Sequence, residues 1–121
     1  MPLGNIRSNI ITGKIRGDYI TMSNSLWTWS GTYFGVHEGN SLFTRYGIEA
    51  GRFYNEDIYG ANGAYLGELK DGKLITNQSK KSWRKSSFIP RRRVGHVGYV
   101  GHVGTVMIAG YEDFPAPETF Q

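Results

Sequence analysis

Cysteine is absent from the chain, which excludes disulfides, thiolate metal centres and cysteine nucleophiles and fits a reducing compartment. No apolar run approaches the roughly 18 residues of a membrane-spanning helix. Met1-Pro2-Leu3-Gly4-Asn5-Ile6-Arg7 holds no apolar stretch of signal-peptide length. A cytoplasmic protein with no membrane association is expected. Catalytic motifs are missing too: no serine has a Gly-x-Ser-x-Gly setting, and there is neither a Walker loop nor a dinucleotide fingerprint. Glu56 and Asp57 are neighbours in a turn, so their carboxylates diverge and do not face each other across a cleft. His37, between Val36 and Glu38, reads as a polar turn residue. No catalytic residue, cofactor or metal is assigned, and an enzyme is the less favoured class.

Glycine, by contrast, is plentiful at 17 residues, and with hydrophobic residues at 39% the 121-residue chain reads as one turn-rich β domain. The glycines are periodic. Taking Leu26-Trp27, Leu42-Phe43, Ile58-Tyr59 and Leu74-Ile75 as equivalent gives a spacing of 16 residues three times over. Gly31, Gly47 and Gly63 follow at one fixed distance and Gly35, Gly51 and Gly67 at another, whereas the fourth copy has Ser79 and Trp83. Each unit also carries a second turn signal, at Gly39-Asn40, Asn55-Glu56 or Asp71-Gly72, so turns come about every eight residues. Between them lie runs rich in aromatic and β-branched residues, which suit a half-buried pleated surface. Each unit is therefore one β-hairpin, with a first, more degenerate hairpin expected over residues 8–25 around Gly13. A lone hairpin is marginal in water, so several must share a core.

The segments Leu26-Trp27-Thr28-Trp29-Ser30-Gly31, Leu42-Phe43-Thr44-Arg45-Tyr46-Gly47 and Ile58-Tyr59-Gly60-Ala61-Asn62-Gly63-Ala64-Tyr65-Leu66-Gly67 resemble the small bacterial four-fold β-flower proteins. The resemblance covers roughly residues 5–80, with an echo in Tyr111-Glu112-Asp113-Phe114. It implies an all-β fold of four short hairpins in pseudo-fourfold arrangement. The family has no established activity, so no functional residue is carried over.

Ten of the 17 aromatic residues lie between positions 27 and 65. They are expected to fill the core and pair across strands; Trp27, Trp29 and Tyr33 are the candidates for an alternative role, stacking on a ligand. Charge divides the chain. Residues 1–78 hold seven basic and seven acidic side chains, and then Lys80, Lys81, Arg84, Lys85, Arg91, Arg92 and Arg93 come with no acid among them, interrupted by Trp83 and Phe88. Lys80, Lys81, Trp83, Arg84, Lys85, Arg91, Arg92 and Arg93 can track a phosphate backbone and stack on bases, or can serve as a solvated basic linker.

Residues 94–106 have a period of three, Val-Gly-His-Val-Gly-Tyr-Val-Gly-His-Val-Gly-Thr-Val. A polyproline-II-like path puts the valines on one ridge, the glycines on another, and His96, Tyr99, His102 and Thr105 on the third. The expected structure is an extended strap across the hairpins with its valines inward. At about 3.1 Å per residue the two histidines stand roughly 19 Å apart, too far to share one metal ion.

The domain organisation expected is a hairpin-repeat domain at 1–79, a basic linker at 80–93, and an extended Gly-Val strap with a C-terminal tail at 94–121 packing on the same domain. The favoured function is a non-enzymatic module that binds a protein or small ligand. The alternatives are a nucleic-acid-binding accessory protein using residues 80–93, and a small enzyme with its site at the hairpin axis. Exposed hairpin edges invite pairing between chains, which adds a homodimer to the expected partners.

Overall fold

The computed structural model describes residues 23–95 and 100–120, together with the backbone of two short strands before them. These are β1 (Lys14–Ile15) and β2 (Asp18–Tyr19), paired antiparallel with Lys14 opposite Tyr19. The turn between them falls after Ile15, not at Gly13 where the first hairpin is expected, and most of the rest of that hairpin lies outside the described residues.

All other strands form one antiparallel sheet: β3 (Ser23–Trp27), β4 (Tyr33–Glu38), β5 (Ser41–Thr44), β6 (Glu49–Tyr54), β7 (Asp57–Gly60), β8 (Tyr65–Lys70), β9 (Lys73–Asn77) and β10 (Tyr111–Asp113). β3 to β9 form a meander, and β10 returns from far along the chain to pair with β9. The sheet curls into a half-barrel: Thr28, just past β3, bridges Leu74 of β9, and the Trp29 amide donates to the Leu74 carbonyl at 2.8 Å. Two short 3-10 turns, Gln78–Lys80 and Pro117–Phe120, are the helical elements among the described residues. No helix there is long and apolar enough to cross a membrane.

The turns fall where the glycine period puts them. Gly31, Gly47 and Gly63 adopt φ of +100°, +87° and +87°, and the alternate turns place Gly39, Asn55, Asp71 and Gly72 at positive φ. Pairing irregularities recur at Leu26/Trp27, Leu42/Phe43 and Ile58/Tyr59, again one per repeat.

The fourth copy breaks the pattern. In place of the glycine it has Ser79, whose amide donates to the Asn77 side chain at 3.0 Å and starts a 3-10 turn. No return strand follows β9 locally; β10 takes that place, with Tyr111 opposite Asn77. Three of the 16-residue repeats thus close locally around their turn glycines, and the one opened by Leu74-Ile75 is completed by a strand from the other end of the domain.

Equivalent positions build the core. Leu26, Leu42, Ile58 and Leu74 are all buried in one cluster with Phe34, Ala50, Phe53 and Phe114, and Leu66 and Phe120 pack against it. Burying each such aliphatic side chain contributes about 1.5–3 kcal/mol. Most of the aromatic side chains expected inside are buried, and Trp27–Tyr33 and Tyr59–Tyr65 meet edge to face at 5.3 and 5.8 Å between centroids, whereas Tyr46 and Tyr54 are exposed.

Candidate functional site

Beyond the 3-10 turn the chain runs back over the sheet and meets the repeat turns in reverse order. The amides of Lys85, Arg93 and His102 donate to the carbonyls of Gly63, Gly47 and Gly31, each at 2.8 Å. In return the amides of Tyr65 and Glu49 donate to the carbonyls of Trp83 and Arg91, at 3.1 and 2.9 Å. These contacts explain the period of the turn glycines beyond their φ. A Cβ on Gly31, Gly47 or Gly63 would overlap the strap carbonyl of His102, Arg93 or Lys85.

The valines of the strap point the opposite way from that expected. Val94, Val100, Val103 and Val106 are 84–94% exposed. It is the glycine ridge that faces the body: a side chain on Gly101 or Gly104 would run into the backbone of Gly31 or Ser30. The strap is held by backbone hydrogen bonds, which demand close approach, and on a threefold path turning the glycines inward turns the valines out. His96 to Tyr99 lie outside the described residues, and with them the expected separation of the two histidines.

The strap also occupies the aromatic face. The Trp27 indole stacks on the His102 imidazole at 4.0 Å between centroids and 15° between planes, and its Nε1 donates to the Val100 carbonyl at 3.0 Å. Trp29 donates through Nε1 to the Val106 carbonyl at 3.0 Å, and both Trp29 and Tyr33 are buried. Of the three residues singled out for ligand stacking, Trp27 and Tyr33 are brought together, and Trp27 and Trp29 are bonded to the chain's own strap.

The repeats also hold a buried charge that sequence reasoning missed. Along the repeats the row Tyr33, Glu49, Tyr65 has an acid in its middle place. The Glu49 side chain is 0% exposed, and its carboxylate accepts from Ser41 Oγ at 2.5 Å, Arg52 Nε at 3.0 Å, and the Arg91 amide and Nε at 2.9 and 3.4 Å. Burial pushes its pKa up, but the donors from Arg52, Ser41 and Arg91 outweigh that and hold it at about 2. The signal was the substitution itself, an acid where the sister repeats carry tyrosine.

Other basic residues of the strap are engaged with carboxylates as well. Lys80 Nζ lies 3.0 Å from both Asp57 and Glu68, Lys81 2.8 Å from Glu112, and Arg93 2.6 Å from Glu38. Desolvation pushes the pKa of Lys80 down, but the hydrogen bonds it donates to Asp57 and Glu68 outweigh that and raise it. Arg84, Lys85 and Arg92 have no ion-pair partner among the described residues. The Lys85 ammonium instead lies 5.2 Å from the centre of the Tyr54 ring, and Trp83 remains 47% exposed. His37, read as a turn residue, stacks on Phe53 at 3.9 Å between centroids near the end of β4, and burial lowers its pKa.

Next to the Glu49 clamp a cleft of about 330 Å³ opens, with Ile48, Ala50, Ala61, Leu66, Pro90 and Phe120 in its walls. No family model, curated protein or solved structure matches the chain.

Proposed function

We propose that this chain is a cytoplasmic, non-enzymatic interaction module of the four-fold β-flower type, and that it pairs with a second copy of itself through the valine ridge of its strap. Burial of Leu26, Leu42, Ile58 and Leu74 in one cluster supports a pseudo-fourfold arrangement, as does the bridge from Thr28 to Leu74, which brings the first and fourth repeats into contact.

The observation that carries the functional reading is the exposure of Val94, Val100, Val103 and Val106 on a strap pinned at Gly47 and Gly31. A fixed apolar ridge in water marks an interaction surface. Residues 94–111 contain no Lys, Arg, Asp or Glu, so two copies of a chain of net charge +4 can meet there without opposing like charges. Sedimentation velocity over a concentration series tests this. The expected result is a dimer that becomes a monomer when Val100 and Val103 are both replaced by Asp. A wild-type monomer at every concentration overturns the reading.

Nucleic-acid binding is the second reading, and it is favoured by Arg84, Lys85 and Arg92, which have no carboxylate partner among the described residues, together with the exposed Trp83. With three phosphate contacts, single-stranded binding should fall with log salt at a slope of about −2. Fluorescence polarisation of a labelled oligonucleotide without any such slope removes this reading.

A further inference from the structure

The cleft beside the clamp has a specific origin in the repeats. Ala50, Gly60 and Ala61 stand where the preceding repeat has Phe34, Thr44 and Arg45, and the counterpart of Ala61 two repeats back is Trp29. The side chains at this junction are small, and the cleft opens beside them. The space, about 330 Å³, is within the range of small-molecule sites. Its apolar walls include the flat side chains of Pro90 from the strap and Phe120 from the C-terminal 3-10 turn.

The rim is positive. Arg92 and Ile48 form an antiparallel bridge flanked by the Arg93-to-Gly47 and Glu49-to-Arg91 hydrogen bonds. That makes them a non-hydrogen-bonded pair, whose side chains leave the same side of the ladder close together. Ile48 lines the cleft, and Arg92 is its exposed bridge partner. Arg84 donates from its guanidinium to the carbonyl of Asn62, another lining residue, at 3.4 Å. Both arginines are exposed, and neither has a carboxylate within ion-pair distance among the described residues. The Glu49 carboxylate also borders the cleft, but its charge is answered by Arg52 and Arg91, and the Glu118 carboxylate is bonded to the Tyr46 hydroxyl at 2.8 Å. Two uncompensated guanidinium groups over an apolar floor select for negative charge on a flat body.

We infer that the cleft binds a small aromatic anion, with its ring among Ala50, Ala61, Pro90 and Phe120 and its anionic group at Arg92 and Arg84. This site is separate from the valine ridge and does not depend on the self-pairing proposed above.

The test is an NMR titration of isotope-labelled protein with 1-naphthoate, and in parallel with the uncharged 1-naphthalenemethanol. Saturable shifts are expected at the amides of Ile48, Ala61, Asn62 and Leu66, with the anion binding about fivefold more tightly than the alcohol. Ala61→Trp, which installs the side chain carried two repeats earlier, should abolish the shifts. Arg92→Gln, a change on the exposed rim, should leave the spectrum folded and bring the two probes to similar affinity. Absence of saturable shifts, shifts confined to other residues, unchanged binding in Ala61→Trp, or equal affinity of the two probes for the wild-type protein would each overturn the inference.

Discussion

The carboxylate of Glu49 in the sheet receives both the backbone amide of Arg91, at 2.9 Å, and its guanidinium, at 3.4 Å. One acid thus secures a strap residue through main chain and side chain together. Because the folded pKa is depressed, from an ordinary 4.5 to about 2, the unfolded chain binds more protons than the folded one between those values. The stabilisation is present above pH 4.5 and is lost as pH falls toward 2, amounting to about 3 kcal/mol. Urea midpoints measured across that window should decline in the wild type. In Glu49→Gln the unfolding free energy should start about 2–3 kcal/mol lower at neutral pH, and the midpoints should lose the part of the acid dependence due to this group.

Gly39 and Gly47 separate the two requirements placed on turn glycines. Both have positive φ, at +61° and +87°, but a Cβ on Gly39 meets nothing within 4 Å whereas one on Gly47 collides with the strap carbonyl of Arg93. Gly39→Ala should cost about 1–2 kcal/mol from conformation alone. Gly47→Ala should cost a further 1–3 kcal/mol or so from overpacking. Hydrogen exchange distinguishes them further, since the Arg93 and Glu49 amides, which bond across that junction, should lose protection only in Gly47→Ala.

Phe114 follows β10, is 2% exposed, and meets Phe34 edge to face at 5.2 Å. Phe114→Ala should cost about 3–5 kcal/mol in chemical denaturation, comparable to losing any large core side chain. A loss below about 1 kcal/mol would mean that the C-terminal segment is an accessory to the domain and not part of its core.

Local features were well marked in the sequence. The turn at Gly63 and the burial of Ile58 both follow from the 16-residue period, because hairpin turns and alternation are short-range effects. The pairing of β10 with β9 was not legible, since Tyr111–Asp113 lies 34 to 38 residues from its partners and only three-dimensional closure brings them together. The outward direction of Val100 and Val103 escaped for a different reason. Apolar residues tend inward only when nothing else competes for the inner position, and here glycines won it by permitting backbone hydrogen bonds. Glu49 could have been found, by setting Tyr33, Glu49 and Tyr65 in register and asking why one is ionisable.

The strap and the meander keep different step lengths. Successive turn glycines lie 16 residues apart, whereas the strap residues that bond them, Lys85, Arg93 and His102, are eight and nine apart. Duplicating or deleting one hairpin would leave the strap one contact short or one contact long, unless about half a repeat were added or removed at a second place in the chain. Repeat arrays that bind only their neighbours can drift in copy number through single events. In this one the count is read a second time by a segment running the other way, so a change of length requires two coordinated alterations, and the number of hairpins is held fixed by the chain's own return path.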